Sequence, residues 1–190
     1  MSFLMLMLLE SYYESTHLGK GGNVMRLSLK KRGLFSGKIL FEKVIMFFLY
    51  RGMKTLYKYD SRVYKEIESW PMGRTIVLTA SKRGPKLCLE RVSSGIVRSG
   101  NIEDPDILIS FKSIDGAFLV FSGQMGITEA YAQHRFMVKG DIAEIMSIVR
   151  CIELAEVYLF PKIITKRILR RVPGKQLGSF RVYCHSLFGF

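Results

Sequence analysis

The sequence predicts an α+β domain: a five-stranded, mostly antiparallel sheet packed on one face against apolar helices. Three observations carry this. Five short runs between Thr75 and Val138 alternate apolar and polar residues, and the first three are joined by turns too short for crossover helices. The last two runs flank a stretch with helical periodicity, and a longer helical pattern follows at Ile142–Leu159. The segment from Asp106 to Val149 gathers apolar surface without a nucleophile, a metal-ligand cluster or a phosphate loop. Such a segment suits holding an apolar molecule better than transforming one.

Taken in order, Arg26 to Gly37 is basic and glycine-punctuated and reads as a mobile arm. From Lys38 the chain is helical, with Ile39, Leu40, Val44, Phe47, Phe48 and Met53 at helical spacing. Lys43, Arg51, Lys54 and Lys58 mark its basic side. Asp60 is a good N-cap for a second helix that ends before Pro71, with Tyr64 and Ile67 expected to face the core. The first strand, Thr75–Ala80, puts Ile76, Leu78 and Ala80 on one face. Arg83-Gly84-Pro85 turns it into Lys86–Arg91, and Ser93-Ser94-Gly95 turns that into Ile96–Arg98. Ile107, Ile109 and Phe111 form the apolar face of a fourth strand. Two short helices, Ile114–Phe121 and Thr128–Gln133, are joined through Gly123 and Gly126, and Phe136 and Val138 face inward on a fifth strand. Asp141 and Glu144 form a D-x-x-E capping box that opens Ile142–Leu159, and Pro161 ends that helix. A short basic helix, Ile163–Arg171, runs on to Pro173.

The chain has 190 residues, 48% of them hydrophobic, and a mean hydropathy of +0.16, which leaves room for one domain with extensions. No run approaches the roughly 18 apolar residues of a spanning helix. The net charge of +13 sits on the flanks: residues 71–160 carry ten basic and ten acidic side chains, whereas 161–190 carry seven basic and none acidic. Basic flanks of this kind meet anionic lipid, nucleic acid or solvent. Cys88, Cys151 and Cys184 fit neither a zinc site nor a disulfide framework, which points to the cytoplasm. The peptide Lys20-Gly21-Gly22-Asn23-Val24-Met25 back-translates to a purine-rich ribosome-binding sequence before a bacterial start codon. Met25 is therefore the expected initiator and residues 1–24 are expected not to be translated, with a real but disordered leader as the alternative; the intact mass of the native product decides between them. The domain organisation expected is a leader and arm at 1–37, a central domain at 38–160 and a basic tail at 161–190.

Asp104-Pro105-Asp106-Ile107-Leu108-Ile109, Gly123, Ala130-Tyr131-Ala132 and Phe136-Met137-Val138-Lys139-Gly140-Asp141, in this order and spacing, carry a resemblance. Over about residues 58–158 the chain resembles the sterol carrier protein type 2 family of lipid-binding domains. The resemblance implies helices over one face of the sheet with an apolar tunnel between the layers. It also implies binding of sterols, fatty acyl chains or isoprenoids, and for some bacterial relatives a part in quinone synthesis. One departure is His134-Arg135, where such domains often have glycine before the fifth strand.

Phe118, Phe121, Met125, Tyr131, Phe136, Ile145, Met146 and Val149 are the candidate lipid-lining residues, since aromatic and methionine side chains make a deformable pocket. Lys162, Lys166, Arg167, Arg170 and Arg171, interleaved with isoleucine and leucine, are the candidate membrane contacts. No histidine has a partner at ligand spacing, Gly33–Lys38 is one residue short of a phosphate loop, and Asp104 and Asp106 read as turn residues. No catalytic residue, metal or cofactor is expected. The leading reading is a non-catalytic lipid carrier, cytoplasmic and docking on anionic membranes. The alternatives are an accessory protein partnered with a lipid- or quinone-synthesising enzyme, and a nucleic-acid binder using Phe180, Tyr183 and Phe188 in the tail.

Overall fold

The computed structural model describes residues 24–82, 84–159, 174–175, 178 and 182, with side chains from residue 35 onward. Helix α1 spans Val24–Tyr59, so the stretch read as a mobile arm is the first part of this helix. Gly33 and Gly37 each cost about 1 kcal/mol relative to alanine. The Met, Arg, Leu and Lys residues around them are good helix formers, and no proline interrupts the run. Further along, Met46, Leu49, Met53 and Leu56 recur at alternating steps of three and four and are all buried. That spacing makes one continuous seam facing inward.

Helix α2, Ser61–Glu68, begins at the expected cap: the Arg62 backbone N–H donates to Asp60 Oδ1 at 3.0 Å. Its buried pair is Val63 and Ile67, a proper i, i+4 stripe. Tyr64, expected inside, is exposed and lies against Tyr57 with ring centroids 5.2 Å apart. One residue of rotation separates the two readings.

Five strands follow: β1 Thr75–Thr79, β2 Lys86–Val92, β3 Gly95–Arg98, β4 Ile107–Phe111 and β5 Phe136–Lys139. They form one sheet in the order β3-β2-β1-β4-β5. All pairs are antiparallel except β1 with β4, where Ile76 stands beside Ile107 and Leu78 beside Ile109. The expected α+β class and mostly antiparallel sheet are present. The β2–β3 turn needs its glycine: Gly95 has φ +114, and a Cβ there would lie 2.8 Å from the Tyr57 ring.

Helix α3, Ile114–Phe121, and helix α4, Ile127–Ala132, form the hairpin between β4 and β5. Helix α5 runs over Ile142–Leu159 and begins where expected, while its expected end at Pro161 lies outside the described residues. Asp141 Oδ1 accepts from the Ala143 and Glu144 N–H groups at 2.8 and 3.1 Å, while Glu144 turns its carboxylate to Arg74 Nη2 at 2.9 Å. The short basic helix expected at Ile163–Arg171 lies outside the described residues. Ile76, Leu78, Leu87, Leu89, Ile96, Ile107, Ile109 and Phe111 form the inner face of the sheet and join the helices in one core.

Candidate functional site

The eight candidate lining residues divide by burial. Phe118, Phe121, Phe136, Ile145 and Val149 are buried in the core between the sheet and the helices, and Met125 packs half-buried against it. Their aromatic rings meet through strand β4: Phe111 lies 5.4 Å from Phe121 and 5.1 Å from Phe136, centroid to centroid. Phe118 meets Phe41 of α1 at 5.0 Å. Tyr131 and Met146 are 54% and 45% exposed. Each follows a buried neighbour, Ala130 and Ile145, by one residue, which turns it about 100° away on its helix. Tyr131 keeps a ring contact with Phe136 at 5.6 Å. The five candidate membrane cations, from Lys162 to Arg171, lie outside the described residues.

Most buried polar groups in this layer are satisfied. Asp60 accepts from Arg62 and from the Tyr158 hydroxyl at 2.8 Å. Burial alone would raise its carboxyl, but these hydrogen bonds outweigh it and hold the group below its ordinary value. The Trp70 indole N–H donates to Ser147 Oγ at 2.8 Å, and Ser147 donates to Glu66 at 2.6 Å. Arg150 also donates to Glu66, at 2.6 and 2.9 Å, and chiefly these bonds keep Glu66 ionised to lower pH. Arg91, buried under the β2–β3 turn, donates to the carbonyls of Ile67 and Gly95 and to Glu68.

Two acids break this pattern, and the sequence reading passed over both. Glu42 on α1 is 0% exposed, and among the described residues neither of its carboxylate oxygens has a hydrogen-bond partner. Glu156 on α5 is 4% exposed with one oxygen unpartnered. Burial pushes each up to about 8 from an ordinary 4.5, with a smaller contribution at Glu156 from Glu153. At such values both acids are mostly protonated at pH 7. The signal was present for Glu42: it falls four residues before Met46 and begins the buried seam of α1.

The outward side of α1 is unusual in the opposite sense. Leu40, Val44 and Phe47 are 63%, 42% and 43% exposed and form one stripe at i, i+4, i+7. Lys43, Lys54 and Lys58 are exposed beside it, and the Arg51 guanidinium lies 5.9 Å from the Phe47 ring centroid. Across Val24–Tyr59 the helix has nine basic residues and one acid, the buried Glu42.

A groove of about 350 Å³ lies on the face of the sheet away from the helices. Its floor is Val77 and Thr79 of β1, Leu108 and Ser110 of β4 and Met137 of β5, and Ile102 and Pro105 of the β3–β4 connection wall it. That connection explains why Val77, Thr79 and Cys88 are buried although they point away from the helical layer. Lys82, Lys86 and Lys139 stand at the rim, and none of the eight expected lining residues belongs to this groove. Asp106 works as a brace, accepting from the Thr75 N–H at 2.9 Å and hydroxyl at 2.7 Å. Among the described residues no group of three or more His, Cys, Asp or Glu could hold a metal ion, and no helix is long and apolar enough to cross a membrane.

No protein-family model and no curated protein matches the chain. Solved structures similar to it in fold include two SCP2 domains. A UbiJ-SCP2 ubiquinone synthesis protein is 19% identical, with 55% of this chain and 93% of that one covered and a TM-score of 0.39. The apo form of sterol carrier protein 2 from Yarrowia lipolytica is 16% identical, with 58% and 88% covered and a TM-score of 0.42.

Proposed function

We propose that this chain binds an apolar lipid between its helices and its sheet and docks on anionic membrane surfaces to load and release it. The observation that carries this reading is the outward stripe of α1. Leu40, Val44 and Phe47 occupy a face that a helix in water gives to polar side chains, and the cations flanking them suit a bilayer interface. Each cation near an anionic surface contributes about 1 kcal/mol, so Lys43, Lys54 and Lys58 together supply roughly 3 kcal/mol. The apolar side chains add up to about 1.5–3 kcal/mol each if fully buried in the acyl boundary. The cations of the tail, Lys162, Lys166, Arg167, Arg170 and Arg171, strengthen the same contact.

Phe118, Phe121, Met125, Phe136, Ile145 and Val149 are the proposed wall of the lipid site, joined by Phe41 from α1. A chain of about 15 methylenes releases roughly 12 kcal/mol on burial, at about 0.8 kcal/mol each. Association costs about 4–15 kcal/mol, so useful affinity is attainable with little polar recognition.

Co-sedimentation with phosphatidylglycerol vesicles, together with mass spectrometry of an organic extract of the purified protein, tests the proposal. Val182 is buried in the core, so the tail is best tested by substitution rather than truncation. Joint replacement of Leu40, Val44 and Phe47 by serine is expected to weaken vesicle binding at least tenfold. Replacing the five tail cations by glutamine is expected to reduce binding less and to flatten its salt dependence. Equal binding by the serine variant moves the contact to the tail. Failure of the unaltered protein to sediment with vesicles, or to yield lipid on extraction, overturns the respective half of the proposal.

A further inference from the structure

Glu42 opens the innermost seam of α1, ahead of Met46, Leu49, Met53 and Leu56, and it is the only polar member of that seam. An acid at such a position normally acquires a buried partner, as Asp60 and Glu66 do in the same helical layer. Lys38 lies one turn before Glu42 on the same side of the helix, but its Nζ donates to Asp115 and stands 5.6 Å from the Phe118 ring centroid. The residue next to Glu42, Phe41, packs on that same Phe118. A fully buried carboxyl with two vacant oxygens thus belongs to the part of α1 that meets α3, beside the aromatic wall of the proposed lipid site. Glu156 is a weaker case, with one orphan oxygen and a like-charged neighbour on its own helix.

We infer that Glu42 is the polar anchor of the lipid site, hydrogen-bonding a single oxygen function, a hydroxyl or carbonyl, on an otherwise apolar ligand. The inference rests on the lipid-binding reading above. A neutral carboxyl offers one donor and one good acceptor, so it serves a hydroxyl through both and a carbonyl through its O–H. It offers nothing to a hydrocarbon, and an anionic head would have to be stripped of water to reach a carboxyl that is fully buried. The ligand class selected is therefore a neutral alcohol or ketone with a long or polycyclic apolar body.

Fluorescence titration of the full chain with pyrene-labelled dodecanol and with pyrene-labelled dodecane tests this. The unaltered protein is expected to prefer the alcohol by about tenfold, the worth of one buried hydrogen bond. Glu42→Leu is expected to abolish that preference by weakening the alcohol while leaving the alkane unchanged or tighter. Glu42→Gln, which keeps a donor and an acceptor, retains part of it. Circular dichroism and a cooperative thermal transition establish that each variant is folded. An unchanged preference in folded Glu42→Leu, or equal binding of both probes by the unaltered protein, overturns the anchor alone. Binding of neither probe overturns the lipid-binding reading with it.

Discussion

Glu42 and Glu156 make folding stability fall as pH rises, and Glu42→Gln isolates one half of that effect. Each carboxyl titrates near 4.5 in the unfolded chain and near 8 in the folded protein. Between these values the folded state holds a proton that the unfolded state has released. Stability therefore drops by about 1.4 kcal/mol per pH unit for each group. The contribution is complete below about 4.5, falls through the window and is gone by about 8. At pH 7 each acid has already forfeited about 3 kcal/mol relative to pH 4.5, a large share of the roughly 5–15 kcal/mol of a typical domain. Urea unfolding at half-unit steps from pH 5 to 8 should show a slope near −2.7 kcal/mol per unit for the unaltered protein. Glu42→Gln should halve it, and Glu42→Leu should also raise stability at pH 8 by several kcal/mol, because no acid remains to be desolvated. A pH-independent midpoint, or a Gln variant as steep as the parent, would refute the burial argument. A neutral acid kept at this expense fits a residue retained for binding rather than for the fold.

The acid side has the opposite sign. Asp60, Glu66 and Asp106 are held below their ordinary values, so stability lost on further acidification, through their folded values, places the maximum at about pH 4.5 when the urea series is extended to lower pH. Asp60→Ala removes an N-cap and the carboxylate that accepts from Arg62 and the Tyr158 hydroxyl, and a loss of about 2–4 kcal/mol is expected in urea unfolding at pH 7. His134 has φ +53, the left-handed backbone that favours glycine. His134→Gly relieves about 1 kcal/mol of strain and returns part of it as unfolded-chain entropy, so a net gain of roughly 0.5 kcal/mol is expected by thermal unfolding. Gly95→Ala pushes a Cβ into the Tyr57 ring at positive φ and is expected to lower the thermal midpoint by several degrees, equivalent to about 1–3 kcal/mol.

Local chemistry was readable wherever one residue decides. Asp60 and Asp141 marked helix starts and Ser93-Ser94-Gly95 marked a turn, because caps and turns depend on neighbours in sequence. The departure at His134 was readable too, and the structure gives it the strained φ that a glycine would have avoided. The inward residues of β4 followed from alternation alone.

Periodicity by itself determined that apolar sheet and helix faces exist, but not which turn of a helix meets which strand. Tyr64 was misdirected by one residue, an error of 100° that only the packing of α2 resolves. The parallel pairing of β1 with β4 was decided by the whole sheet, since the β3–β4 connection must cross two strands to reach its place. The same crossing buries Val77 and Cys88 on the face that alternation assigns to water. Glu42 is the sharpest case. Its spacing puts it in line with the buried seam, but its charge argues for solvent, and the elements packed around α1 decide between the two. Burial is a property of what surrounds a residue, and the three-dimensional arrangement alone supplies those surroundings.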